Sequence, residues 1–157
     1  MIVVSDTSPL NYLVLIELQD VLPKLFGRIV IPGAVQRELR SPAAPDAIKR
    51  FLATAPDWLK VQAASEIEPE LRNLDAGEGE AISLALRVSA DFVLLDEQRG
   101  RHAAREHGLA VSGTLGVLDL ADHRGFVRLR EALDRLRATN FRVSPRVLKH
   151  FGRSNDT

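Results

Sequence analysis

The chain has 157 residues, a length that fits one domain with a single well-buried core. Its 45% hydrophobic and 27% charged content excludes wholesale disorder, and zero cysteines exclude disulfides and thiolate metal sites. The longest apolar run, Tyr12-Leu-Val-Leu-Ile16, is far short of the roughly eighteen residues a membrane span needs. The opening Met1-Ile-Val-Val-Ser-Asp6 has no basic n-region, so no secretory signal is expected and a cytoplasmic location fits.

Charge balances overall, with 21 basic and 21 acidic residues, but it is unevenly placed. The stretch from Glu66 to Glu97 is strongly acidic and carries only Arg72 and Arg87 as basic residues. From Arg124 onward the bias reverses, with arginines set against only Glu131, Asp134 and Asp156. Such asymmetry fits an acidic site beside a basic surface for nucleic acid or an acidic partner; a solvated helix face would look the same.

Short apolar runs alternate with helical patterns, the signature of a parallel α/β sheet. Ile2-Val-Val4 reads as a strand, and Ser8-Pro9 as an N-cap followed by a first-turn proline. Helices follow through Leu10–Glu17 and Val21–Leu25; Gly27 breaks the chain before a strand over Arg28–Ile31. Further helices are expected over Gly33–Arg40 and Asp46–Ala55, separated by the Ser41-Pro-Ala-Ala-Pro45 turn. Trp58–Gln62 reads as a short edge strand. Asp75 and Glu78 have capping-box spacing at the start of a helix running to Val88. Strands over Phe92–Leu95 and Leu109–Val111 enclose a helix over Glu97–Glu106. Helices over Thr114–Asp122 and along Leu129, Leu133 and Leu136 complete the pattern, with a final turn expected around Pro145–Phe151. No linker divides the chain, so one doubly wound domain is predicted.

Ligands of open parallel sheets bind outside the carboxyl ends of the strands, where strand order reverses. Asp6, Asp96, Ser112 and Thr114 all follow predicted strands closely and would share that rim. Either aspartate could equally cap the helix after it. Glu38 adds a third acid, lying about 60° from Val35 beside the apolar stripe of its helix. Glu78 lies within about 40° of Ile82 and faces inward, whereas Glu80, about 160° away, faces solvent or a second packing surface.

These segments resemble the PIN-domain nucleases, including VapC-type toxins, the short prokaryotic PIN proteins of toxin–antitoxin pairs. The resemblance is carried by Asp6-Thr-Ser-Pro, Ile31-Pro-Gly-Ala-Val-Gln-Arg-Glu38-Leu, Leu74-Asp-Ala-Gly-Glu78-Gly-Glu-Ala-Ile-Ser-Leu-Ala85 and Phe92-Val-Leu-Leu-Asp96. It covers about Met1 to Leu120 and implies a three-layer α/β/α domain with a central parallel sheet of four to five strands. Residues 1–125 would form the nuclease domain and 126–157 a helical extension of it. The family's acidic cluster falls on Asp6, Glu38, Glu78 and Asp96, with Glu80 a rival to Glu78, since many relatives carry aspartate there.

The resemblance further implies Mg²⁺ or Mn²⁺ as cofactor, RNA as substrate, a small antitoxin as partner and a homodimer formed through the early helices around Leu13–Leu25 and later apolar helix surfaces. Clustered carboxylates repel and raise one another's pKa values, a repulsion that a hard divalent cation relieves while activating water for attack on phosphorus. On this reading Asp6 and Asp96 bind metal directly, and Glu38 and Glu78 act through water or orient the nucleophile. Thr7 and Ser8 are placed to hydrogen-bond the first acid or a metal-bound water, and Arg99 and Arg101 to reach a substrate phosphate.

Competing readings lose specific residues. A receiver domain would want a lysine after the late strand, and none of Lys24, Lys49, Lys60 and Lys149 stands there. A dehalogenase-like phosphatase would want an aspartate where Ser8 stands, and the Gly77-Glu-Gly79 stretch puts an acid where a phosphate loop wants amides. His102, His107, His123 and His150 lack zinc-ligand spacing. The alternative in a different class is a PIN-like module that binds RNA or protein without cutting.

Overall fold

The computed structural model describes residues 1–54, 56–63 and 66–142. Five parallel strands, β1 (Val3–Ser5), β2 (Ile29–Ile31), β3 (Leu59–Val61), β4 (Phe92–Leu94) and β5 (Val111–Ser112), pair in the order β3-β2-β1-β4-β5. Trp58–Gln62 was expected at an edge, and β3 is an edge strand. The chain first winds leftward from β1 to β2 and β3, then returns to place β4 on the other flank of β1. The switch point therefore lies between β1 and β4, paired with Ser5 opposite Leu94. One further bond, from the Asp6 amide to the Leu94 carbonyl at 3.0 Å, carries that pairing to the first acidic residue.

Eight helices connect and cover the strands among the described residues: α1 (Thr7–Leu15), α2 (Val21–Phe26), α3 (Gly33–Leu39), α4 (Asp46–Ala53), α5 (Ala76–Arg87), α6 (Gln98–Glu106), α7 (Thr114–His123) and α8 (Leu129–Arg137). A 3₁₀ turn, Pro69–Leu71, precedes α5. Strand residues point alternately to two cores, as the period-2 geometry requires. Val3, Ile29, Ile31 and Leu94 pack against α1, α2, α3, α4, α7 and α8. Val4, Val93 and Leu95 pack against α5 and the Ala104 face of α6. Burial on both faces explains why these strands read as continuous Val/Ile/Leu runs rather than alternating ones. No helix among the described residues is long and apolar enough to cross a membrane.

The structure revises several expected boundaries. Asp6, not Ser8, is the N-cap of α1, so Pro9 falls in the third helical position, where its missing N–H leaves no intrahelical bond unmade. The last strand is Val111–Ser112 rather than Leu109–Val111, because Leu109 is still bonded back to Ala104 at the end of α6. Gly27 turns with φ of +80°, a conformation that glycine adopts without strain. Leu13, Val21 and Leu22, within the segment expected to dimerise, are buried in this chain's own core. The turn expected around Pro145–Phe151 lies outside the described residues.

Leu118 on α7 is fully buried in the larger core. Leu118→Ala should destabilise the fold by about 2–5 kcal/mol, read as a lower urea midpoint with an unchanged slope. A loss below about 1 kcal/mol would show that α7 is not packed as described.

Candidate active site

Asp6 leaves β1 at the switch point and is only 7% exposed. Although it occupies the N-cap of α1, its carboxylate makes no capping bond and is turned toward the rim instead. The next two residues serve other acids. Thr7 Oγ1 donates to Glu38 Oε2, bringing α3 against the start of α1. Ser8 Oγ donates to Asp96 Oδ2 at 2.7 Å. The hydroxyls expected beside Asp6 thus hold its neighbours.

Asp96 follows Leu95 at the end of β4, and three donors fix it. Besides Ser8, the Thr114 amide bonds Oδ1 and Thr114 Oγ1 bonds Oδ2, both at 2.7 Å. Asp96 therefore caps α7 from across the sheet edge, since Gly113 at the N-cap position has no side chain to do so. Ser112 stands apart: its carbonyl accepts from the Leu95 amide, and its hydroxyl packs against Gly116.

The start of α5 supplies two acids where one was expected. Asp75 is its N-cap and accepts from the Glu78 amide at 2.8 Å, as the spacing predicted. Its carboxylate also faces the site. A β-carbon at Gly77 would lie 2.9 Å from Asp6 Oδ1, 3.3 Å from Glu38 Oε2 and 3.6 Å from Asp75 Oδ1. Three carboxylates thus converge on the bare backbone of Gly77. Asp75 was read from the sequence as a cap alone; the small residues Ala76 and Gly77 between the two acids were the available hint that space was being kept there.

Glu78, 4% exposed, turns inward from the same turn. Its Oε2 is buried without a hydrogen-bond partner and lies where a β-carbon at Gly100 of α6 would stand. Gly113 completes a set of three: a β-carbon there would sit 2.7 Å from Asp96 Oδ1 and 2.8 Å from the Leu95 carbonyl. Each of these glycines leaves room for a carboxylate. Glu80 points elsewhere, accepting from the Ala34 amide at 3.1 Å and facing Arg37 at 3.4 Å. Of the two glutamates that the sequence left open, the structure brings Glu78 to Asp6 and sends Glu80 to α3.

Burial and crowding raise the proton affinity of Asp6 and Glu78. Burial is the main reason the Asp6 carboxyl is pushed up to about 7, with Asp75, Glu38 and Asp96 adding repulsion against one backbone bond at Thr7 that lowers it. Burial again leads for Glu78, pushed up to about 9, followed by a hydrogen bond to Asp75 and the charges of Asp75, Asp6 and Glu97. On the basic side, Arg99 is exposed and donates to the Asn73 carbonyl at 3.0 Å. Arg101 is half-buried beside Asp96; burial and Arg105 hold its pKa below the usual value, and its Nε has no partner.

The donor set is all oxygen, which suits Mg²⁺ or Mn²⁺ rather than a soft metal. Although Asp6, Glu38 and Asp75 all approach Gly77, no three acidic or histidine side chains among the described residues are grouped so as to hold a metal ion by themselves. Magnesium is usually held by one or two carboxylates with water completing its shell, so an incomplete ring of acids with an orphaned Glu78 oxygen fits that style of binding.

An acidic rim at the switch point of a parallel α/β sheet defines a candidate phosphoryl-chemistry site. The family model for the PIN domain (DUF3368) matches residues 2–156, and the chain belongs to that family. PIN domains are generally nucleases and generally use divalent metal ions. Among solved structures the chain is similar to a PilT N-terminus domain protein from the archaeon Sulfolobus solfataricus P2. The two share 19% identity at a TM-score of 0.50, over 92% of this chain and 100% of that one. That likeness concerns the fold. No functionally curated protein matches the chain.

Two outcomes follow for the metal-free protein. Asp6 and Glu78 have folded pKa values above their unfolded 3.8 and 4.5, so the folded state binds protons more tightly. The stability they contribute is complete below the unfolded values and is lost as pH rises through about 7 and about 9. Melting temperature in chelator should therefore fall between pH 5 and pH 9, less steeply in Glu78→Gln; a flat or rising wild-type profile would contradict the described crowding. Separately, Gly100→Ala should destabilise by roughly 1–3 kcal/mol through overpacking against Glu78, although alanine normally stabilises a helix relative to glycine. Denaturant unfolding that shows a gain would exclude that contact.

Proposed function

We propose that this protein is a Mg²⁺- or Mn²⁺-dependent endoribonuclease, the toxin of a VapC-type toxin–antitoxin pair. The observation that carries the reading is the convergence of Asp6, Glu38 and Asp75 on Gly77, beside a buried, unpartnered Glu78 oxygen. So many carboxylates in one place serve no purpose in a merely structural rim, where each adds repulsion.

In this reading Asp6, Glu38, Glu78 and Asp96 would hold the metal, with Asp75 beside them. When bound there, a divalent cation would offset the repulsion of the cluster and supply activated water for attack on phosphorus. Asp96, gripped by Ser8 and Thr114, is the fixed wall of the site. Glu38, exposed as Asp75 is and with Oε2 held by Thr7, would orient the attacking water and receive its proton. Hydrolysis then forms one P–O bond to water and breaks the P–O bond to the departing nucleotide. Arg99 and Arg101, on the first turns of α6, neutralise substrate phosphate. An antitoxin would act by covering this rim. The homodimer would use surfaces other than Leu13, Val21 and Leu22, which the core already occupies.

The test is cleavage of a panel of structured and unstructured RNAs by wild type, Asp96→Asn and Glu38→Gln, with Mn²⁺, Mg²⁺ or excess chelator. Cleavage should require metal, vanish in Asp96→Asn, and slow by about 10²–10⁴-fold in Glu38→Gln. Folded wild type that neither cuts RNA nor binds Mn²⁺ would favour the non-cutting RNA- or protein-binding module. Asp6→Ala with metal binding and cleavage both intact would overturn the assignment of the site.

A further inference from the structure

We propose that Glu80 is a positioning residue: it caps α3 from across the gap to α5 and thereby sets where Glu38 stands in the acidic rim. The consequence for metal binding rests on the function proposed above; the positioning itself does not.

The α3 helix begins without a cap of its own. Its N-cap residue is Pro32, which has no side-chain acceptor, and the first helical amides have no partner within the helix. Glu80 Oε1 supplies the missing acceptor to the Ala34 amide at 3.1 Å. Ala34 is itself buried, so without Glu80 its N–H would lack a bond in a place that water reaches poorly. The second Glu80 oxygen faces Arg37 at 3.4 Å. That ion pair is a minor tether, because the Arg37 side chain is 72% exposed and the Glu80 side chain 16%.

Helix geometry links this bond to the site. Ala34 and Glu38 are four residues apart and lie on one face of α3, so an anchor at the first sets the height and rotation of the second. Thr7 holds Glu38 Oε2 from the other side. Glu38 therefore has two tethers, one at its own carboxylate and one a turn earlier. On α5, Glu78 and Glu80 divide the work because two residues are about 200° of helical rotation: one acid enters the rim and the other braces the helix opposite.

Glu80→Gln, Glu80→Asp and Glu80→Ala separate reach from charge. Glutamine keeps an acceptor at the same distance, aspartate keeps the charge but is one methylene too short, and alanine lacks both. The readouts are amide hydrogen exchange at Ala34 and Glu38, and Mn²⁺ affinity by titration calorimetry. Positioning predicts wild-type protection and affinity in Glu80→Gln. In Glu80→Asp and Glu80→Ala, Ala34 should lose protection and Mn²⁺ binding should weaken roughly tenfold or more, the usual scale for a residue that orients a ligand. Because the effect passes through Glu38, adding Glu80→Asp to Glu38→Gln should cost no further affinity.

Mn²⁺ binding lost equally in Glu80→Gln and Glu80→Ala would make Glu80 a ligand and overturn the proposal. So would unchanged Ala34 protection in Glu80→Asp, or a further full loss on the Glu38→Gln background. A wild type that binds no Mn²⁺ would remove the metal reading alone; exchange at Ala34 and Glu38 would still decide the bracing of α3. Should Glu80→Ala fail to fold, the Gln and Asp variants carry the same decision.

Discussion

The site depends on holding like charges together at the one place where a doubly wound sheet opens. Asp6 and Asp96 are carried there by adjacent strands, and the Asp6 amide extends their pairing to the rim. Asp75 and Glu78 arrive on the first turn of α5, and Glu38 on the last turn of α3. What offsets their repulsion is the direction of the helices. The first turns of α1, α5, α6 and α7 all face the cluster, and a helix N-terminus carries partial positive charge and unpaired amides. The Thr114 and Glu78 amides, which bond Asp96 and Asp75, are those groups at work. Burial first, and the neighbouring carboxylates after it, still hold the Asp6 and Glu78 carboxyls well above the ordinary range. A divalent cation would complete the offset.

Glycine is the second requirement of this arrangement. Gly77, Gly100 and Gly113 stand in or just before the first turns of α5, α6 and α7, where a carboxylate presses against the backbone. None of the three has positive φ, so backbone conformation is not what asks for glycine. Space is. A side chain at any of them would push an acid out of the rim or push the helix away from the sheet. The glycines thus connect local sequence to the electrostatics: helix amides approach the acids closely because no side chain intervenes.

Much of this was legible in the chain itself, for identifiable reasons. The strand runs, the Asp75 cap and the inward face of Glu78 follow from short-range periodicity, which needs no tertiary information. Placing Asp6 and Asp96 on one rim needed only the rule that ligands meet parallel sheets at the carboxyl ends of their strands. What escaped notice joins residues far apart in sequence. Thr7 serving Glu38, Ser8 and Thr114 serving Asp96, and Asp75 turning its carboxylate toward Asp6 are tertiary contacts without a local pattern. The helix wheel left Glu80 between solvent and a second packing surface; Ala34, whose amide it meets, lies outside any wheel drawn on α5. The expected boundary of β5 slipped because Leu109 and Ala110 are as apolar as a strand, while the return bond to Ala104 belongs to the end of α6.

The basic half of the chain illustrates why charge counts alone assign no function. Arg128 and Arg137 on or beside α8 face Glu131 and Asp134 one turn away, and Arg135 donates to the Ile16 carbonyl. The first two pairs are exposed and contribute little to stability, so an RNA backbone could displace them at small cost. Arg135 is different, because its bond joins α8 to the end of α1 and its guanidinium is already part of the fold. Arg101 differs again: it is half-buried beside Asp96, and its Nε has no partner in the protein. A half-buried guanidinium with an unused Nε donor beside a carboxylate is a different element from an exposed arginine on α8. Positive charge near the acid rim therefore comes from Arg99 and Arg101 of α6, whereas Arg128, Arg135 and Arg137 are already engaged within or beside α8.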